Sequence, residues 1–279
     1  MKAELRNQIF ERGYVLVPNV IPKEQLDAVI SDIFEHTNAD PNDPGSWYRP
    51  SIISPDGMIE MYHYQSMWDN RQHPELHEIF ASILGTEKLW VSIDRANLKP
   101  PAHFDYPQYS KTGFIHWDTD MDRYPDIPFA VQGVIALANT DETMGGFQCV
   151  PELYRELEDW IIHQRQSGVK IGRQPDISDY SITKVPMRAG DVVIWSTLLP
   201  HGNGQNVSNR PRLAQYISMH PAEEDDDAYR QARIESWQSC HPLHNEVFPG
   251  DPRRIEEARR EPALLTPLGR KLLGLNSWS

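Results

Sequence analysis

Three observations predict a mainly β domain with flanking α-helices. A hydrophobic share of 39%, with eight Trp, eleven Tyr and eight Phe, can fill one sizeable core. From Leu89 to about His220 the chain breaks into short apolar runs punctuated by turn residues, which is the texture of strands and turns. Helical periodicities precede that stretch, and acidic helix-forming segments separated by Pro follow it. At 279 residues the chain fits one domain: 1–88 as an N-terminal helix-and-strand portion, 89–220 as the β core, and 221–279 as a C-terminal extension packing on that core.

In chain order, residues 13–17 read as a short strand, and Pro22 then opens a helix whose stripe is Leu26, Val29, Ile30 and Ile33. Residues 39–58, rich in Pro, Asp, Gly and Ser, form a loop. A second helix is predicted over 74–84, where Leu76, Ile79, Phe80 and Ile83 keep the helical spacing until Gly85 stops it. Strands are predicted at 90–98, 113–118, 129–138, 146–150, 191–196 and 213–220. An amphipathic helix interrupts them at 153–163, and 165–183 is a long polar loop of the kind that often serves as a lid. The tail ends in the apolar segment 264–278.

A formal charge of −13 without a compensating basic block excludes nucleic acid and an anionic membrane surface as the main partner. Met1-Lys2-Ala3-Glu4-Leu5-Arg6 leads into no apolar signal core, and no run approaches the ~20 apolar residues of a membrane span. A cytoplasmic protein is expected, with a small-molecule partner and no evident obligate protein partner. Cys149 and Cys240 read as two unpaired thiols in a reducing compartment.

The chemistry centres on Gly113-Phe114-Ile115-His116-Trp117-Asp118. On a strand, side chains at i and i+2 share a face, so His116 and Asp118 can occupy two adjacent positions of one metal. A His-x-Asp pair is weak by itself. The case strengthens with the turn and strand at Gly190-Asp191-Val192-Val193-Ile194-Trp195-Ser196, followed by His201 in Leu199-Pro200-His201-Gly202. A sheet folded back on itself can bring His201 to the pair, completing the two-His, one-carboxylate facial triad of non-haem iron oxygenases. Downstream, Arg212 opens the strand Leu213-Ala214-Gln215-Tyr216-Ile217-Ser218. Its planar fork suits a carboxylate, and a dicarboxylic cosubstrate that chelates iron through its 2-oxo-acid end needs a buried cation for its far end. Arg210 is expected to face solvent.

In these residues the chain resembles the phytanoyl-CoA dioxygenase family of iron(II)- and 2-oxoglutarate-dependent oxygenases. The resemblance runs through Arg12-Gly13-Tyr14-Val15-Leu16-Val17-Pro18, Leu98-Lys99-Pro100-Pro101, His116-Trp117-Asp118, Gly145-Gly146-Phe147-Gln148-Cys149-Val150-Pro151 and Gly190-Asp191. It continues through the block from His201-Gly202-Asn203-Gly204 to Asn209-Arg210-Pro211-Arg212, and ends near Leu265-Thr266-Pro267-Leu268-Gly269-Arg270. It implies a double-stranded β-helix, or jelly roll, with helices packed outside and the metal inside its open end. It also implies iron(II), 2-oxoglutarate and dioxygen as reactants, with Arg212 on the far carboxylate and Ser208 as a helper. The expected outcome is hydroxylation of an unactivated C–H bond with release of succinate and carbon dioxide. Desaturation, cyclisation and epimerisation are alternatives, as is a jelly-roll binding protein that has lost turnover.

Gln132 is a further cosubstrate-binding candidate, provided Gln132, Val134 and Ala136 face inward; alternation fits the opposite face, with Val131, Gly133, Ile135 and Leu137 inward, equally well. Pro151-Glu152-Leu153-Tyr154 departs from the family's Pro-Gly-Ser-His-like turn at the pocket border, so substrate class does not transfer. For the family's second cosubstrate residue, 62–65 is the region to search. Among the aromatic and charged neighbours Tyr106, Tyr109, Trp117, Arg123, Tyr124 and Phe147, the candidates for substrate contact are Trp117 and Arg123. His73 with His77, Cys240-His241-Pro242-Leu243-His244 and the acidic run 223–227 are set aside as metal sites.

Overall fold

The computed structural model of the protein describes residues 2–110, 113–247, 249–259 and 261–278. Six strands form the larger sheet: β1 (Tyr14–Val17), β2 (Met58–Ile59), β4 (Ala96–Lys99), β5 (Val131–Ala136), β8 (Val192–Ser196) and β10 (Arg212–Ile217), in the order β1-β8-β5-β10-β4-β2. A smaller sheet joins β7 (Thr183–Lys184), β6 (Phe147–Cys149) and β9 (His201–Asn203), and β3 (Leu89–Val91) pairs with β11 (Met219–Pro221). The named ladders are antiparallel, and the architecture is the jelly roll with outer helices.

Alternation along each strand divides two cores. On the outer face, Val131, Ile135, Val192, Ile194, Leu213 and Ile217 pack against helices that include α2 (Lys23–Thr37) and α4 (Pro74–Leu84). On the inner face, Val134, Ala136, Val193, Trp195 and Ala214 meet Phe147 and Cys149 of the smaller sheet. The face on which Gln132 lies is thereby settled: it points inward with Val134 and Ala136. Gln215, on the outer face, is fully buried and accepts from Asn70 Nδ2 at 2.8 Å.

The helix at 74–84 keeps its expected bounds, with Pro74 in its first turn and Gly85 in the left-handed region at φ 77°. Two further helices lack the apolar stripe that periodicity detects. α1 (Lys2–Arg12) buries Ile9, while α3 (Gln65–Arg71) buries Ser66, Asn70 and Arg71 through hydrogen bonds. The expected strands 90–98 and 213–220 are each broken, at 92–95 and at Ser218. The breaks oppose one another: Ser92 N donates to Ser218 O and Ser218 N to Ser92 Oγ, both at 2.8 Å, where the pairing passes from one sheet to the next.

The helix expected at 153–163 is divided into α5 (Pro151–Arg155) and α6 (Leu157–Gln166). In the tail, α7 (Asp227–Ser239) and α9 (Pro267–Leu273) lie against the outer core, and α8 (Ile255–Arg259) is tied to residues 62 and 63 through Glu256. Fully buried Arg233 of α7 donates to Val91 O, Leu272 O and Leu273 O, satisfying carbonyls at the end of α9. Among the described residues no helix is long and apolar enough to cross a membrane.

Candidate functional site

His116, Asp118 and His201 converge at one end of the barrel interior, their ligand atoms all within 4.8 Å of one another. The expected strand at 113–118 reduces to a single bridge. His116 N donates to His201 O at 2.8 Å and His201 N to His116 O at 3.0 Å, so the two ligand-bearing segments are tied backbone to backbone. Glycines permit this approach, because a Cβ on Gly202 would lie 2.2 Å from Phe114 O and one on Gly113 would lie 1.3 Å from Asn203 O.

His116 Nε2 lies 3.3 Å from Asp118 Oδ1, and His201 Nε2 lies 3.3 Å from Asp118 Oδ2. Donors at right angles around an ion at ~2.1 Å would stand about 3 Å apart, close to these separations. The other ring nitrogens face backbone carbonyls: His201 Nδ1 is 2.9 Å from Leu199 O and His116 Nδ1 is 3.5 Å from Phe114 O. With the proton on Nδ1, toward these carbonyls, each Nε2 would be free to coordinate a metal at the common point. Trp195 packs on the His201 ring with centroids 5.1 Å apart. Burial opposes protonation of His116, yet Asp118 outweighs it and raises its basicity. Asp118 is itself resisted by burial, but His116 and His201 hold its carboxyl well below the usual carboxylate range. The set has the charge and donor chemistry of an iron(II) triad.

The trio lines a cavity of about 220 Å³ with Met58, Asp94, Arg95, Gln132, Phe147, Trp195, Asn203 and Tyr216. Trp195 Nε1 donates to Gln132 Oε1 at 3.1 Å, so the amide oxygen is taken and its NH2 end is left toward Asp118. A larger cavity, about 630 Å³ and lined by Glu60, Tyr62, Ile255 and Glu256, lies by the tail. The His116–Asp118–His201 trio, whose donor atoms could hold a metal ion, is in the smaller one.

Below Asn203 and Tyr216 lies a pair of buried cations. Arg212 is 2% exposed, and its Nη1 reaches only neutral oxygens, Asn97 Oδ1 and Tyr216 Oη, both at 3.4 Å. Lys99, directly opposite in register, is 1% exposed and donates to Gly204 O at 2.7 Å. Among the described residues no carboxylate pairs with either, Asp56 acting on Lys99 only from a distance. Burial and then Arg212 depress the Lys99 ammonium to about 8. Two like charges in a dry site are costly unless an anion joins them, and the far carboxylate of 2-oxoglutarate is such an anion.

Other expected site residues lie elsewhere. Trp117, between two inward ligands, points the opposite way: it is fully buried, donates Nε1 to Leu198 O at 2.9 Å and packs near Trp160, so it cannot touch a substrate in the cavity. Arg123 sits exposed in the short helical turn Met121–Arg123, outside the cavity lining. Ser208 spends its hydroxyl within its own turn, on Asn206 Oδ1 at 2.7 Å and Arg210 O at 3.0 Å, and does not line the cavity. The segment 62–65 faces the tail, with Tyr62 N and His63 N each donating to Glu256 at 2.7 Å. Arg210 is exposed, and of the aromatic neighbours Phe147 reaches the cavity. Lys99, Asn97, Asp94 and Arg95 were missed. The only signal for Lys99 was its place in the Leu98-Lys99-Pro100-Pro101 block.

Comparison with known proteins gives a match of residues 10–214 to the family model for phytanoyl-CoA dioxygenase. A Dictyostelium discoideum protein carrying the phytanoyl-CoA dioxygenase name is 24% identical, covering 77% of this chain and 74% of its own. Ectoine dioxygenase of Bordetella bronchiseptica is 26% identical over 75% of this chain and 72% of its own. Among solved structures, a hypothetical protein of Escherichia coli superposes with a TM-score of 0.71 at 18% identity, covering 98% of this chain and 82% of that one. The nogalamycin-pathway epimerase SnoN, solved with Fe3+, alpha ketoglutarate and nogalamycin RO, gives 0.55 at 18% identity over 79% of this chain and 84% of that one.

Proposed function

The chain belongs to the phytanoyl-CoA dioxygenase family, dioxygenases that use iron(II) and 2-oxoglutarate, and from that membership we propose that it hydroxylates an unactivated C–H bond of a small organic substrate. His116, Asp118 and His201 hold the iron. Arg212 and Lys99 receive the far carboxylate of 2-oxoglutarate. The observation that carries the reading is the uncompensated Lys99–Arg212 pair on the same barrel interior as the trio, since a trio alone would also suit a jelly-roll protein that binds metal without this cosubstrate.

Iron with 2-oxoglutarate and dioxygen supplies the oxidising power, releasing succinate and carbon dioxide. The chain supplies position and dryness. The backbone ties between His116 and His201 fix the ligand spacing, and Trp195 and Phe147 wall off His201. Gln132, oriented by Trp195, steadies the carboxylate of Asp118.

Adding 2-oxoglutarate to the anaerobic iron(II) protein should produce a metal-to-ligand absorption band, and substrate-dependent succinate should follow on admitting air. Iron binding without that band would remove the cosubstrate from the reading. Product mass separates hydroxylation, a gain of one oxygen, from desaturation, cyclisation or epimerisation.

A further inference from the structure

The register of β4 against β10 lays out a polar ladder inside the barrel. Lys99 pairs with Arg212 and Asn97 with Ala214, and Tyr216 N donates to Arg95 O at 3.0 Å, so the inward series on this strand runs Lys99, Asn97, Arg95. At ~3.3 Å per residue, the Cα atoms of Arg95 and Lys99 stand roughly 13 Å apart along the strand direction. The barrel thus carries two cationic stations. The deep one, Lys99 with Arg212, lacks a carboxylate; the outer one, Arg95, has Asp94 beside it, with Nε 3.3 Å from Asp94 Oδ1.

Both Asp94 and Arg95 line the metal cavity, and their side chains are 31% and 28% exposed, at its mouth. Their backbone is fixed from behind: fully buried Arg71 donates to Asp94 O at 2.6 Å, and Asp94 Oδ1 accepts from Arg95 N at 2.7 Å. An ion pair between sequence neighbours contributes little to folding, so stability is a weak reason for holding this one so firmly at a cavity wall. A simple anion would gain Arg95 and be repelled by Asp94, and a simple cation would meet the reverse. A molecule carrying both charges satisfies both. Met58, Val134, Phe147 and Trp195, on the same cavity, offer apolar contact to an aliphatic segment.

Resting on the cosubstrate reading above, we infer that the substrate is a small amino-acid-like zwitterion, its carboxylate on Arg95, its ammonium group on Asp94 and its aliphatic carbons turned toward His116, Asp118 and His201. The test is binding to the anaerobic iron(II)–2-oxoglutarate protein, read as a perturbation of its absorption band. The probes are free aliphatic L-amino acids, their N-acetyl derivatives, which lack the cation, and their methyl esters, which lack the anion. At least one free amino acid should act at about ten-fold lower concentration than either of its derivatives, the loss expected for one charge-assisted contact. Asp94→Asn should erase the discrimination against the N-acetyl form, and Arg95→Gln that against the ester. Derivatives as effective as their parents, no response to any aliphatic amino acid, or variants that keep the wild-type ranking would overturn the inference. A band that never forms with 2-oxoglutarate alone would sink the cosubstrate reading, and this inference with it.

Discussion

Replacing Arg212 tests the deep station most directly. In the cosubstrate-free protein its guanidinium has two long contacts to neutral oxygens, an edge-of-range position 5.9 Å from the Tyr216 ring centre and a cationic neighbour, so Arg212→Met removes little that holds the fold. What it removes is the fork that meets a buried carboxylate, a loss of order 2–5 kcal/mol for one partner of a desolvated pair. Lys99 stays opposite and retains part of the attraction, which places the loss in the lower half of that range. The dissociation constant for 2-oxoglutarate should therefore rise by about 30- to 400-fold. Arg212→Lys should recover only part of it, since a point charge lacks the planar fork. The assay is an anaerobic titration of the absorption band, with thermal denaturation of the cosubstrate-free protein alongside. The melting temperature should hold or rise, because one of two neighbouring buried cations is gone. A dissociation constant within about two-fold of wild type would refute the assignment, and so would a large loss of stability without cosubstrate.

Lys99 gives a pH signature. Its folded value of about 8 is below the ordinary 10.5, so between those values the unfolded chain holds a proton that the folded chain has released. The cosubstrate-free protein should gain stability as pH rises through that window, while 2-oxoglutarate, which needs the ammonium, should bind progressively more weakly from about pH 8; affinity that stays flat to pH 10 would exclude Lys99. Asp118→Ala should keep some iron on the two imidazoles but abolish turnover, and Asp118→Glu should bind iron yet turn over poorly, because ligand placement matters within roughly 0.5 Å. Near-normal turnover by the alanine variant would end the triad assignment. Trp117→Phe should lose about 1 kcal/mol of stability with the bond to Leu198 O, and neither it nor Ser208→Ala should alter iron or 2-oxoglutarate binding in the same titrations.

What the sequence revealed follows the range of the interactions involved. The helix at 74–84 and the strands around 131–136 and 192–196 are specified by local periodicity and punctuation, and they stand where those signals put them. The segment 113–118 departs from the expected strand. No regular strand forms there, yet a single reciprocal bridge to His201, made possible by Gly113 and Gly202, turns His116 and Asp118 to one side and Trp117 to the other. Extended backbone at those positions is enough to put residues i and i+2 on one side, and it turns Trp117, which lies between them, to the other.

The residues that were missed share a different cause. Nothing local marks Lys99 as inward-facing, since its strand could be read with either face toward the barrel until pairing with β10 sets the register. The same holds for Gln132, undecided by alternation and turned inward by its ladders to β8 and β10. Once that register is fixed, the spacing of Arg95 from Lys99 is no longer adjustable. A one-residue slip of β4 would move Asn97, Lys99 and Arg95 to the helix-packed face and bring Ala96 and Leu98 inward, leaving three polar groups without partners in an apolar core. The core that holds the helices therefore also fixes the distance between the two cationic stations.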